Sequence, residues 1–254
     1  MRQLLLIGLM LALGACSTSE KQIADVLKKN PNLVFDTIEE NPEQFIEVVN
    51  RAARKAQMGQ QEKQIAEKKR QQEDQLKNPI SVPLTDDRLL FGTAKGDITI
   101  VEYADFECPY CEVAYGNLKP LKEKYKDRIK FYYKHVPLSM HKMAMPAAIR
   151  FEAIMKQDKE KARKFYNYVF ENQRLLRNEQ FLTDAAKKFG VDIKKMEVDM
   201  KSKDIQERIA ADMKEFEKLG FSGTPSFVVN GVTLEGAQPA EEFERIIQLT
   251  TAKK

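Results

Sequence analysis

The chain has 254 residues, enough for one sizeable core with an appendage or for two small domains. Lys and Arg total 42 and Asp and Glu 38, so the net charge is +4. Both signs are interspersed and no basic block carries interleaved aromatics, which speaks against nucleic acid as a partner.

The first residues read as a signal peptide over residues 1–15. Arg2 precedes a short apolar run at residues 4–13, well below the roughly 20 residues a spanning helix needs. Leu13-Gly14-Ala15-Cys16, followed by Ser17-Thr18-Ser19, resembles the lipobox of bacterial lipoproteins. That resemblance implies that Cys16 is acylated and becomes the first mature residue. It also implies outer-membrane sorting, because no Asp follows Cys16. The alternative is an ordinary signal peptide that contains a cysteine. Each buried lipid CH₂ is worth about 0.8 kcal/mol, and more than one chain anchors stably. With Cys16 assigned, only Cys108 and Cys111 remain of the three cysteines, in an exported and oxidising compartment.

A lipidated helical segment is expected over residues 16–58. Ser19 and Gln22 fit a capping box, and Ile23, Val26 and Leu27 give one apolar face. Asn30-Pro31 and Asn41-Pro42 read as two further helix starts, with Asn as N-cap and Pro at the first helical position. Phe45, Val49, Ala52, Ala53 and Ala56 then recur at helical spacing. A short apolar helix needs a partner for its face, so this segment is expected to oligomerise, as a homodimer or homotrimer. Residues 59–83 change character. Lys, Glu, Gln and Arg dominate, and a charged helical or partly disordered linker is expected, ended by Asn78-Pro79 and Pro83.

Residues 84–254 read as a compact α/β domain. Ile98-Thr99-Ile100-Val101-Glu102-Tyr103-Ala104 is a β-branched run that predicts a buried strand. Cys108-Pro109-Tyr110-Cys111 opens a helix, and residues 129–134 form a second strand. A helical block follows, expected as an insertion over about residues 138–220. Residues 226–229 and 232–234 flank Asn230-Gly231 as a hairpin, and a last helix begins at Pro239.

Cys108 and Cys111 carry the chemistry. As a structural staple the pair would close almost the smallest loop available and would stabilise little. A zinc site lacks a second Cys pair, and His135 and His141 do not have the usual ligand spacing, so no metal is expected. Thiol–disulfide exchange fits at several levels. Cys108 sits where a strand ends and a helix begins, so unpaired N–H groups and the helix dipole favour its thiolate. Pro109 loses nothing in the first turn. Cys111 lies one turn deeper on the same side, placed to resolve a mixed disulfide. The two His are expected to be structural or merely exposed.

Phe106-Glu107-Cys108-Pro109-Tyr110-Cys111 resembles the active site of the DsbA-like branch of the thioredoxin superfamily. The helical insertion after the second strand resembles that branch, and Gly223-Thr224-Pro225-Ser226 resembles its cis-proline loop. The fold implied is a thioredoxin fold with an inserted helical domain, preceded by the all-helical oligomerisation segment and linker. The resemblance implies Cys108 as attacking nucleophile and Cys111 as resolving thiol. It implies a cis Pro225 against Cys108, with Pro109, Tyr110 and Thr224 beside it lining a groove for an extended substrate. Glu102, which alternation places with Ile98 and Ile100, would relay the proton of Cys111; the other reading is an exposed polar strand position. No cofactor is implied. The partners implied are exported client proteins with thiols or disulfides, a membrane redox partner, and a membrane through the lipid anchor.

Tyr110 stands where the strongest oxidases of this family carry His, and Asp105 and Glu107 add negative charge near the thiolate. Tyr110 with Thr224 is more similar to the isomerases DsbG and ScsC, which also carry an N-terminal oligomerisation region. The expected activity is therefore disulfide formation and isomerisation in exported proteins. A monomeric dithiol oxidase and a non-catalytic peptide- or zinc-binding lipoprotein are the alternatives.

Overall fold

A computed structural model describes residues 20–252, so Cys16, Ser19 and the rest of the signal segment lie outside the described residues. The chain divides into two compact units, residues 1–66 and 67–254.

The first unit holds α1 (Glu20–Lys29), α2 (Asn32–Glu40) and most of α3 (Pro42–Gln75). Pro42 opens α3, as the Asn-Pro reading expected, but Pro31 is the N-cap of α2 and not its first helical residue. The two Asn side chains do something else. Asn30 Nδ2 donates to Val26 O at 3.1 Å and Asn41 Nδ2 to Thr37 O at 3.0 Å, so each closes the preceding helix instead of capping the next. No residue of the three helices is buried. Ile23, Val26, Phe35, Phe45, Ile46 and Val49 are all exposed among the described residues.

In the second unit, β1 (Leu89–Gly92), β2 (Ile98–Ala104), β3 (Ile129–His135), β4 (Ser226–Val229) and β5 (Val232–Glu235) form one sheet in the order β1-β3-β2-β4-β5. β2 and β3 are parallel and the other pairs antiparallel. α4 (Pro109–Lys124) joins β2 to β3. Helices α5 (Ala144–Gln157), α6 (Lys159–Glu171), α7 (Glu179–Lys188), α8 (Ile193–Asp199) and α9 (Lys203–Lys218) form the insertion before β4, and α10 (Ala240–Thr251) ends the domain. Phe106, immediately before the Cys pair, packs among Tyr133, Phe151, Phe165, Tyr166 and Phe170, which ties the loop after β2 to the insertion.

The β4–β5 hairpin turns at Asn230 and Gly231, both with positive φ, the two-residue turn that matches strand twist. A Cβ on Gly231 would meet Pro79 Cβ at 2.6 Å and Ile80 O at 2.9 Å, so only glycine lets the incoming chain pass. That chain is held to β5, an edge strand. Gln75 Oε1 accepts from Thr233 N at 2.8 Å and from Thr233 Oγ1 at 2.9 Å, and Gln72 Nε2 donates to Thr233 O at 3.2 Å.

Candidate active site

β2 delivers the chain from the centre of the sheet to Cys108, the N-cap of α4, with Pro109 as the first helical residue. Cys108 O accepts from Cys111 N at 2.9 Å and Glu112 N at 3.3 Å, closing the first turn. Gln173, in the connection after α6, donates through Nε2 to both Phe106 O and Cys108 O at 2.9 Å, so the insertion holds the loop from outside. Cys108 is 5% exposed and Cys111 fully buried, and the two thiols are unbridged. Pro109 and Tyr110 are exposed at the surface beside them.

The Thr224–Pro225 peptide is cis, and Thr224 O lies 3.4 Å from Cys108 Sγ, which donates to it as a thiol. These contacts separate the two thiols. The Cys111 hydrogen bond, then Thr224 and the backbone N–H groups of Cys111 and Tyr110, overcome burial and bring the Cys108 pKa down to about 5. Burial pushes the Cys111 thiol up, reinforced by the Cys108 sulfur and by the charge of Glu102. At neutral pH the pair is one thiolate and one thiol.

Glu102 is completely buried. Its Oε2 accepts from Tyr166 OH at 2.7 Å, and its Oε1 has no hydrogen-bond partner. Burial raises its pKa against the opposing Lys122 charge and the Tyr166 hydrogen bond. Lys122 is pushed down by the same burial, partly restored by Glu102. Its ammonium lies 3.8 Å over the Phe131 ring.

The acids beside the thiolate require a correction. Asp105 accepts from Glu107 N at 2.7 Å, from Leu138 N at 2.9 Å, and pairs with His141 Nδ1 at 2.7 Å. Glu107 accepts from Met143 N. Their charges are therefore answered by donors and oppose the thiolate less than their positions suggest. His141, expected to be structural or exposed, is a site neighbour. Burial works against its charge, but the Asp105 hydrogen bond and the charges of Asp105, Cys108 and Glu107 raise its pKa overall. His135 is structural: its Nε2 meets Glu152 at 3.1 Å in a buried network with Arg88 and Asp212. Sequence reasoning missed Lys122, Tyr166, His141 and Gln173 as parts of the site; Lys122 lies further along α4 itself, and the other three come from segments after β3.

A family model described as Thioredoxin matches residues 84–249. A probable disulfide bond formation protein D of Bacillus cereus is 33% identical over 149 residues, 55% of this chain and 68% of the relative. A thioredoxin-like oxidoreductase of Silicibacter pomeroyi has a TM-score of 0.59 at 26% identity, covering 67% of this chain and 99% of that one. A linker-deleted ScsC of Proteus mirabilis has a similar fold, with a TM-score of 0.57 at 19% identity over 94% of this chain and 100% of that one. The chain also matches a Na⁺/H⁺ antiporter NhaA of Herminiimonas arsenicoxydans at 29% identity over 62% of this chain, but spans only 24% of that protein. Among the described residues no helix is long and apolar enough to cross a membrane.

Proposed function

The chain belongs to the thioredoxin family and is a thiol–disulfide oxidoreductase, and on that premise we propose that it forms and isomerises disulfides in exported proteins. Cys108 is the nucleophile. Cys111 resolves the mixed disulfide, and Glu102 exchanges the proton of Cys111. An extended client segment lies along Thr224 and Pro225, with Pro109 and Tyr110 beside it. The observation that carries this reading is the division of one Cys pair into a low-pKa thiol at the N-terminus of α4, 5% exposed, and a fully buried high-pKa thiol. Anchoring through Cys16 on the periplasmic side of the outer membrane completes the proposal. Cys16→Ser should abolish fatty-acid labelling and release the protein into the soluble fraction; a labelled variant would remove the anchor from the proposal.

A Cys108 pKa of about 5 falls between roughly 3.5 for the strongest oxidase and roughly 7 for thioredoxin. The Cys108–Cys111 couple should therefore equilibrate with glutathione between about −120 and about −270 mV. Tyr110→His, by adding positive charge next to the thiolate, should move it towards stronger oxidation. A couple outside the interval, or an unmoved variant, contradicts the argument. Stability follows the same pKa shifts. Because the Cys108 pKa is depressed in the fold, its stabilisation of the reduced protein is absent below about pH 5 and complete only above the unfolded thiol value of about 8.5. The raised Cys111 pKa acts in the opposite sense, and its contribution is lost as pH rises beyond that value. Reduced minus oxidised melting temperature should therefore climb from pH 5 to about 8.5 and then fall.

A further inference from the structure

A cleft of about 140 Å³ opens between α4, α6 and the edge strand β1, its polar lining including Lys119, Lys122, Glu123, Arg163, Tyr166 and Glu171. Two of these residues also reach the carboxylate below the Cys pair. Lys122 Nζ donates to Tyr166 OH at 3.5 Å, and Tyr166 OH donates to Glu102 Oε2 at 2.7 Å. The donors run inward, from the cleft to Glu102, and Glu102 Oε1 is left without a partner. Cys111 is fully buried, and Cys108 is only 5% exposed before any client arrives. A protein seated over Thr224 and Pro225 would cover Cys108 and close the remaining path to water on that side.

We propose that the α4–α6 cleft is a proton port, through which Lys122 and Tyr166 exchange protons between water and Glu102 while a client covers the active-site face. The inference rests on the relay role of Glu102 given above. When a client thiolate attacks the Cys108–Cys111 disulfide, a client–Cys108 S–S bond forms and the Cys108–Cys111 bond breaks. Cys111 leaves with the electron pair as a buried thiolate. Glu102 supplies its proton, Tyr166 resupplies Glu102, Lys122 resupplies Tyr166, and cleft water resupplies Lys122. The surroundings suit such transfers. Glu102 faces Tyr133 of β3, Lys122 and Cys111 of α4 and Tyr166 of α6, while Lys122 faces Tyr115, Lys119 and Tyr166. Burial moves Glu102 up and Lys122 down, bringing both closer to neutrality, and pushes the Tyr166 hydroxyl well up, so Tyr166 gives its proton to Glu102 only as it takes one from Lys122.

Tyr166 and Lys122 are positioning residues, and the test must separate them from a purely structural role. Single-turnover mixed-disulfide formation is measured for the oxidised protein with two reductants, glutathione and a reduced protein client. Glutathione leaves the active-site face open; the protein client covers it. Tyr166→Phe keeps the ring and removes the hydroxyl. It should slow the reaction about tenfold with the protein client and less than twofold with glutathione. Glu102→Gln should slow both. Equal slowing with both reductants by Tyr166→Phe would mean a structural role and overturn the port. Wild-type rates for Tyr166→Phe beside a slow Glu102→Gln would also overturn it while leaving the relay intact. A Glu102→Gln protein as fast as wild type would remove the relay itself. Should Tyr166→Phe fail to fold, Lys122→Met is read in the same two assays with the same expectations.

Discussion

Cys108→Ser should abolish thiol–disulfide exchange, and Cys111→Ser should convert the enzyme into a trap for its clients. The first change replaces a thiol whose pKa is brought down to about 5 by a hydroxyl that stays protonated at neutral pH and forms no disulfide. Insulin reduction and refolding of a reduced client should fall to background, a loss of at least about a thousandfold. The second change leaves the nucleophile in place and removes the only other cysteine among the described residues. The client–Cys108 bond then lacks its internal attacker and persists. Bands that collapse with reductant should appear on non-reducing gels of cells expressing Cys111→Ser, and not with the double variant. If neither change alters reduction or refolding, the proposed roles of the pair are wrong and a binding function takes their place.

Removal of residues 1–66 should change the class of activity. Isomerisation needs a thiolate that stays near a misfolded client through several exchanges, and two or more active sites on a shared base provide that. The first unit has the surface for such a base: Phe35 is 60% and Ile46 56% exposed, with Val26, Phe45 and Val49 close behind. Burying a side chain of this size is worth roughly 1.5–3 kcal/mol. These five supply on the order of 10 kcal/mol, comparable with the roughly 8 kcal/mol of a micromolar complex before ordering costs. By light scattering the full mature chain should be a dimer or trimer and the protein starting at Glu67 a monomer. The monomer should lose refolding of a scrambled substrate and keep or gain simple dithiol oxidation. Unchanged mass and unchanged isomerase activity on truncation would leave the helices as a spacer.

What the sequence discloses here follows from how local each signal is. The β-branched run of β2, the Cys-Pro turn into α4 and the Asn-Gly hairpin are local, and all were readable. β1 was not, because four residues without alternation give no period. Glu102 is an instructive case. Alternation with Ile98 and Ile100 pointed to burial, yet Val101 and Tyr103 on the other face are just as buried, because β2 is central and covered on both sides. The expectation reached the right position by an argument that does not discriminate there. Its partners could not be read at all: Lys122 lies on the next helix and Tyr166 sits 64 residues away. The same holds for Asp105 and His141, 36 residues apart. Local charge counting saw two acids near a thiolate; tertiary structure supplied the imidazole and N–H groups that answer them.

The hold of Gln72 and Gln75 on Thr233 bears on where the chain can be cut. A strand at the border of a sheet offers unpaired N–H and C=O groups to any other strand, including that of a second molecule. Here two side-chain amides occupy both backbone groups of Thr233, in the manner of a neighbouring strand. A protein beginning at Glu67 keeps both glutamines; one beginning at Asn78 loses them and bares the outward backbone groups of Thr233. The shorter protein would then be prone to pair edge to edge, and its scattering mass would report that artefact instead of the association of the native helices. Eleven residues thus separate a clean monomer from a sticky one, and they belong with the catalytic unit although their composition is that of a solvated arm.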